Sequence, residues 1–172
     1  MKTGRDGAAS VEIEVMEPCP LWRGALPDAP GLARAAARAA LAVSGVALAP
    51  AAELAIVLAD DAAVRALNRQ WRGRDEATNV LAFASEEAAS RPLPQLLGDV
   101  VVSFETARQE AAAQGKSLAD HLRHLVVHGV LHLLGFDHLA DAEAERMEAL
   151  ERGVLGGLGI ADPYAQREGA HG

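Results

Sequence analysis

Three histidines in the stretch HGVLHLLGFDH have the side-chain type and the spacing of a metal site: His128, His132 and His138. His128 and His132 are four residues apart. On an α-helix that separation rotates the side chain by only roughly 40°, so both imidazoles share one face, one turn apart. Gly135 follows, the residue best suited to end a helix in the left-handed conformation. Beyond that turn His138 can approach the same point from the side. Two ligands on a helix and a third past a glycine leave a fourth tetrahedral position open, which is the pattern of a catalytic zinc site.

The same offsets describe the long zinc signature of the metzincin peptidases, H-E-x-x-H-x-x-G-x-x-H. In that signature the glutamate after the first histidine is the general base. Here Gly129 stands in its place and cannot accept a proton. The ligand set is therefore retained and the peptidase chemistry is not. Of the remaining histidines, His124 extends the row by one turn and is expected behind the ligands or in the core. His121 is expected to face solvent, and His171 belongs to the tail. Asp137 suits either of two tasks, orienting a ligand histidine or closing a local turn.

Several elements must position these groups. VEIEVM (Val11 to Met16) alternates as a half-buried strand does, and ELAIVLA (Glu53 to Ala59) is a second strand. Pro18, Pro20 and Pro27 punctuate a connection before a helix from about Pro30 to Ser44, which Gly45 stops. Asp60 or Asp61 caps the helix AAVRALNRQW, and Gly73 ends it. Thr78 to Phe83 reads as a third strand and Ser85 to Pro94 as a loop. Leu97 to Ser103 is a fourth, apolar and therefore central strand. Ser103 begins a helix that Gly115 closes. Ser117 with Asp120 resembles a capping box opening the histidine helix. A final helix carries Met147, Leu150 and Val154 at core spacing. The expected fold is α+β, a small mixed four-stranded sheet covered by about five helices. Residues 11–164 are expected to form one domain between short tails, 1–10 and 165–172.

The chain of 172 residues is long enough for one real core. Half the residues are hydrophobic, with alanine prominent and aromatics at 3%, so closely packed helices are expected. The lone cysteine, Cys19, excludes an internal disulfide and fits a reducing compartment. No apolar run is long enough to span a bilayer and MKTGRDGAAS lacks a signal-peptide core, so a cytoplasmic protein is expected. A net charge of −8 argues against broad non-specific nucleic-acid binding. An RNA-binding function would need a local basic patch, for which Arg69, Arg74, Arg123 and Lys116 are candidates.

HLVVHGVLHLLGFDH resembles the signature of the YbeY family of bacterial rRNA maturation factors and endoribonucleases, H-G-x-L-H-L-x-G-[YF]-D-H. ALNRQWRGRDEATNVLAF, LGDVVVS and the ending DAEAERMEALE with LGIADPY are similar to further family segments, so the resemblance spans roughly Val11 to Tyr164. Ala77 stands where many members have proline, and Ala82 where serine or threonine is usual. The resemblance implies that His128, His132 and His138 hold one Zn2+ per chain. It also implies that Arg72 is functionally important, where residue type alone reads it as a solvated charge at a helix end.

The expected chemistry is zinc-assisted hydrolysis of single-stranded RNA, with Arg72 on the phosphate. The resemblance implies processing at the 3′ end of 16S rRNA and ribosome quality control. Its implied partners are the small ribosomal subunit, ribosomal proteins and an assembly GTPase. Three proton acceptors remain open: the substrate 2′-hydroxyl, a zinc hydroxide or an unidentified carboxylate. The rival readings are a metal-dependent hydrolase of another substrate and a ribosome-assembly factor whose zinc is mainly structural.

Overall fold

The computed structural model describes residues 11–49, 51–85, 96–136 and 140–164. Along them run β1 (Glu12–Met16), α1 (Pro20–Ala25), α2 (Ala29–Ser44), β2 (Glu53–Ala59), α3 (Asp61–Arg72), β3 (Val80–Ala84), β4 (Leu96–Ser103), α4 (Phe104–Ala113), α5 (Leu118–Leu133) and α6 (Asp141–Gly157). The fold is α+β as expected, with six helices among the described residues rather than about five. The expected tails and most of the expected Ser85–Pro94 loop lie outside the described residues.

The added helix is α1, in the segment that the prolines marked as a connection. Pro20 occupies its first turn, where a missing N–H costs nothing. One anchor holds this short helix. Trp22 is 0% exposed, donates its indole N–H to the Ala59 carbonyl at 3.0 Å, and meets the Phe104 ring edge-on at 5.1 Å. A six-residue helix fixed by one side chain has no apolar period to read.

The sheet runs β1-β2-β4-β3. β1, β2 and β4 are parallel, while β3 pairs antiparallel to β4 and forms an edge. β4 is interior, as its apolar run requires. Alternation sorts its side chains onto two faces. Val100 and Val102 join Leu54, Ile56 and Leu58 of β2 in the main core, under α2, α5 and α6. Val101 joins Leu81 and Val64 in a smaller cluster under α3. The alanines of α2 (Ala33, Ala36, Ala37 and Ala40) are fully buried, and such small side chains let two helices approach closely. Arg34 and Arg38 of α2 donate to the Ile13 and Val11 carbonyls and so tie the helix to β1. Among the described residues no helix is long and apolar enough to cross a membrane.

Candidate active site

The histidine helix α5 begins as a capped element. The Ser117 hydroxyl accepts from the Asp120 N–H at 3.0 Å, which satisfies one of the helix's free amides. Apolar residues on several sides bury most of α5 against the sheet and its neighbours. At Gly129 the helix lies tightly against the sheet. A Cβ there would lie 2.7 Å from Val100 Cγ1 on β4, inside the contact distance of real side chains. The glycine that replaces the peptidase glutamate is therefore a packing requirement. It lets α5 lie against β4 and brings His128 and His132 to the edge where β3 begins.

A cleft of about 240 Å3 opens there, lined by His128, Gly129, His132, Arg72, Asn79 and Ala82 among others. Arg72 arrives from the opposite side. It is the last residue of α3, and Gly73 ends that helix with a left-handed φ of 68°. The Arg72 guanidinium donates from Nη2 to the Ala82 carbonyl at 2.9 Å and stands 5.4 Å from the centre of the Phe83 ring.

Asn79, on the cleft wall, donates from Nδ2 to Glu110 Oε1 at 3.0 Å. The same carboxylate oxygen is 2.9 Å from His121 Nε2. His121 is 3% exposed, which corrects the expectation that it faces solvent. Its place beside α4 is fixed by Glu110, a partner eleven residues upstream that helix periodicity alone does not reveal. Burial lowers the His121 pKa, against the opposing pull of Glu110.

Behind the cleft, Glu151 of α6 is 0% exposed. Its Oε1 lies 2.6 Å from His128 Nδ1. Its Oε2 lies 3.0 Å from His124 Nε2 and accepts from the Tyr164 hydroxyl at 2.5 Å. Burial pushes the Glu151 pKa up. The hydrogen bonds from His124 and His128, the charge of His128 and the Tyr164 hydroxyl outweigh burial and hold it at about 2. His124 therefore does sit behind the candidate ligands, as expected.

Sequence reasoning missed Glu151, although a signal was present. Glu151 follows Met147 by one helical turn and precedes Val154 on the same buried face. A carboxylate within an apolar stripe requires partners, because an uncompensated buried charge is costly.

The structure brings His128, His132 and Arg72 together on one cleft. His138 and Asp137 lie outside the described residues, as does His171. Among the described residues no group of three potential ligands stands together in position to hold a metal ion. Arg69 and Arg74 are exposed near Arg72, at the end of α3 and just beyond it. Arg123 is engaged by Asp120 at 2.6 Å, and Lys116 lies in the turn before α5. Neither lines the cleft.

Comparison with known proteins gives consistent results. The family described as Endoribonuclease YbeY matches residues 31–159. A Paramagnetospirillum magneticum protein named Endoribonuclease YbeY is 55% identical over 163 residues, which is 92% of this chain and 98% of that protein. An Azorhizobium caulinodans protein of the same name is 56% identical over 155 residues, 90% of this chain and 97% of that protein. A solution structure of a Thermotoga maritima protein aligns with a TM-score of 0.50 at 20% identity, over 88% of this chain and 97% of that one. At that identity the likeness is one of fold. The match to the family and the near full-length matches to its members establish that the chain belongs to the endoribonuclease YbeY family.

Proposed function

We propose that this chain is a zinc-dependent endoribonuclease that cuts single-stranded ribosomal RNA as the 3′ end of 16S rRNA matures. One observation carries the reading: Arg72 and two histidines of one helix line the same small cleft. Membership of an endoribonuclease family supports RNA as the substrate. The small subunit, ribosomal proteins and an assembly GTPase in the cytoplasm are the partners this reading carries with it.

The donor set fits zinc. In its neutral form His128 donates Nδ1–H to Glu151 and keeps its lone pair on Nε2, the form in which imidazole binds a metal. His132 lies one turn further on, and His138 would complete the set. When bound, the zinc supplies Lewis-acid polarisation of a phosphoryl oxygen and an acidified water.

Arg72 binds and orients the phosphodiester. One of its five N–H donors is used on Ala82, and the planar fork matches paired phosphate oxygens. The Ala82 carbonyl and the Phe83 ring hold the guanidinium in place, so little side-chain freedom is lost when RNA arrives. Its charge then offsets the negative charge that builds on the phosphate during cleavage. Glu151 is buried and bonded to three donors, so it holds His128 in place and is out of reach of the substrate. Gly129 supplies no proton acceptor, which counts against the peptidase rival.

The test offers zinc-loaded pure protein a single-stranded RNA spanning the 3′ end of 16S rRNA and, separately, casein. RNA is cut and casein is not. Arg72→Ala and His132→Ala each lower RNA cleavage on the order of 100-fold or more, the scale of losing one charge-stabilising donor. Cleavage that survives both substitutions, or casein cleavage without RNA cleavage, overturns the proposal.

A further inference from the structure

The chain has two tryptophans, and they are used in opposite ways. Trp22 is 0% exposed and anchors the core, whereas Trp71 is 66% exposed. Met16 and Leu96, which line the same groove as Trp71, are also exposed, so Trp71 belongs to an apolar patch of the kind that marks a binding site. Trp71 borders a second and larger hollow of about 780 Å3, on the sheet face that α3 covers. Met16, Val57, Phe83 and Leu96 give it apolar walls, and Asp99 stands within it. Arg72 lines both this groove and the histidine cleft, and is the only described residue that joins them apart from Ala82.

We infer that the groove beside Trp71 is a nucleobase subsite, in which a base next to the phosphate held by Arg72 stacks on the exposed indole. The inference rests on the reading of the histidine cleft as an RNA site and names how that substrate is held. Three observations favour a base over other occupants. An exposed indole is the best platform in this chain for stacking, and every base has a π-face to offer it. The apolar walls and the Asp99 carboxylate are unsuited to a phosphate. A carboxylate can, by contrast, accept an N–H from a base edge. Arg69, Arg72 and Arg74 flank Trp71 along the chain and give a polyanion a local approach on a chain of net charge −8, although Asp75 also lies close and is engaged by Arg65. In this arrangement only a strand with unpaired, splayed bases places its backbone at Arg72 and a base beside Trp71, so the subsite predicts a preference for single strands.

The experiment uses zinc-loaded full-length protein and a 2′-O-methyl single-stranded oligoribonucleotide, read by tryptophan fluorescence and by the dissociation constant. Binding is expected to quench the emission of Trp71 and leave that of buried Trp22. Trp71→Ala weakens binding roughly tenfold or more, and Trp71→Phe keeps most of the affinity. An oligonucleotide with abasic positions binds the wild type no better than the intact strand binds Trp71→Ala. Unchanged melting of both variants shows that the fold is intact. Equal affinity for Trp71→Ala and wild type, or quenching that is absent at saturation, overturns the subsite. If Arg72→Ala still abolishes cleavage in that case, the reading of the histidine cleft stands and the groove takes another occupant, such as a protein. If Trp71 binds bases and the pure protein cuts nothing, the subsite stands and the catalytic reading fails.

Discussion

Glu151 Oε1 lies 2.6 Å from His128 Nδ1, so a side chain of the last helix engages one ring nitrogen of a candidate ligand. The pairing joins α6 to the histidine helix through a carboxylate that is 0% exposed. Carboxylates in this position fix the tautomer and orientation of a ligand histidine, and losing one typically costs about 10- to 100-fold in metal affinity.

Glu151→Gln preserves shape and removes the charge. Zinc affinity, measured by competition with a chelator, should fall by roughly 10- to 100-fold. An unchanged affinity would show that Glu151 serves packing alone.

His128→Ala removes the ligand itself. Elemental analysis should find most of the zinc gone while the protein remains folded by circular dichroism. A variant that retains one zinc per chain refutes the assignment of His128.

Gly129→Ala sets two effects against each other. Alanine gains up to about 1 kcal/mol of helix propensity over glycine. The new methyl meets Val100 Cγ1 at 2.7 Å, and overpacking a tight contact with a stiff β-branched neighbour costs about 1–3 kcal/mol. The clash should win, and denaturant unfolding should show a net loss of about 1 kcal/mol. A stabilised variant would contradict the close packing of α5 on β4.

Much of this arrangement was legible in the sequence because it is set locally. Asp60 and Ser117 cap their helices through their own side chains, and Gly45 and Gly73 end theirs with positive φ. The Glu53–Ala59 strand follows from its composition, and the ends of the other strands shifted by one or two residues, where pairing rather than propensity decides. What the sequence hid was set by distant partners. His121 is buried by Glu110, and α1 is held by Trp22 reaching Ala59. Glu151 gains its role only when α6 folds back onto α5. The link between the cleft and the Trp71 groove exists only because β3 is an edge whose Ala82 carbonyl can accept from Arg72.

His121 also gives stability a pH dependence. Its folded pKa is lowered from the ordinary 6.5 by burial. Well above pH 6.5 the imidazole is neutral in both folded and unfolded chains and contributes no slope. Below that value the unfolded chain takes up the proton first, so stability falls until the folded imidazole is protonated as well. His121→Gln keeps a donor for Glu110 and removes the titration. The stability difference between wild type and variant should therefore drift against the wild type as pH falls below 6.5. A pH-independent difference would mean that His121 titrates normally.

The most direct test of the central claim is the cleavage of single-stranded RNA across the 3′ end of 16S rRNA by the pure protein, followed through chelation and restoration of zinc. Cleavage should disappear when the metal is stripped and return when about one equivalent of zinc is restored. Cleavage at an unchanged rate by protein verified to be zinc-free would contradict the account.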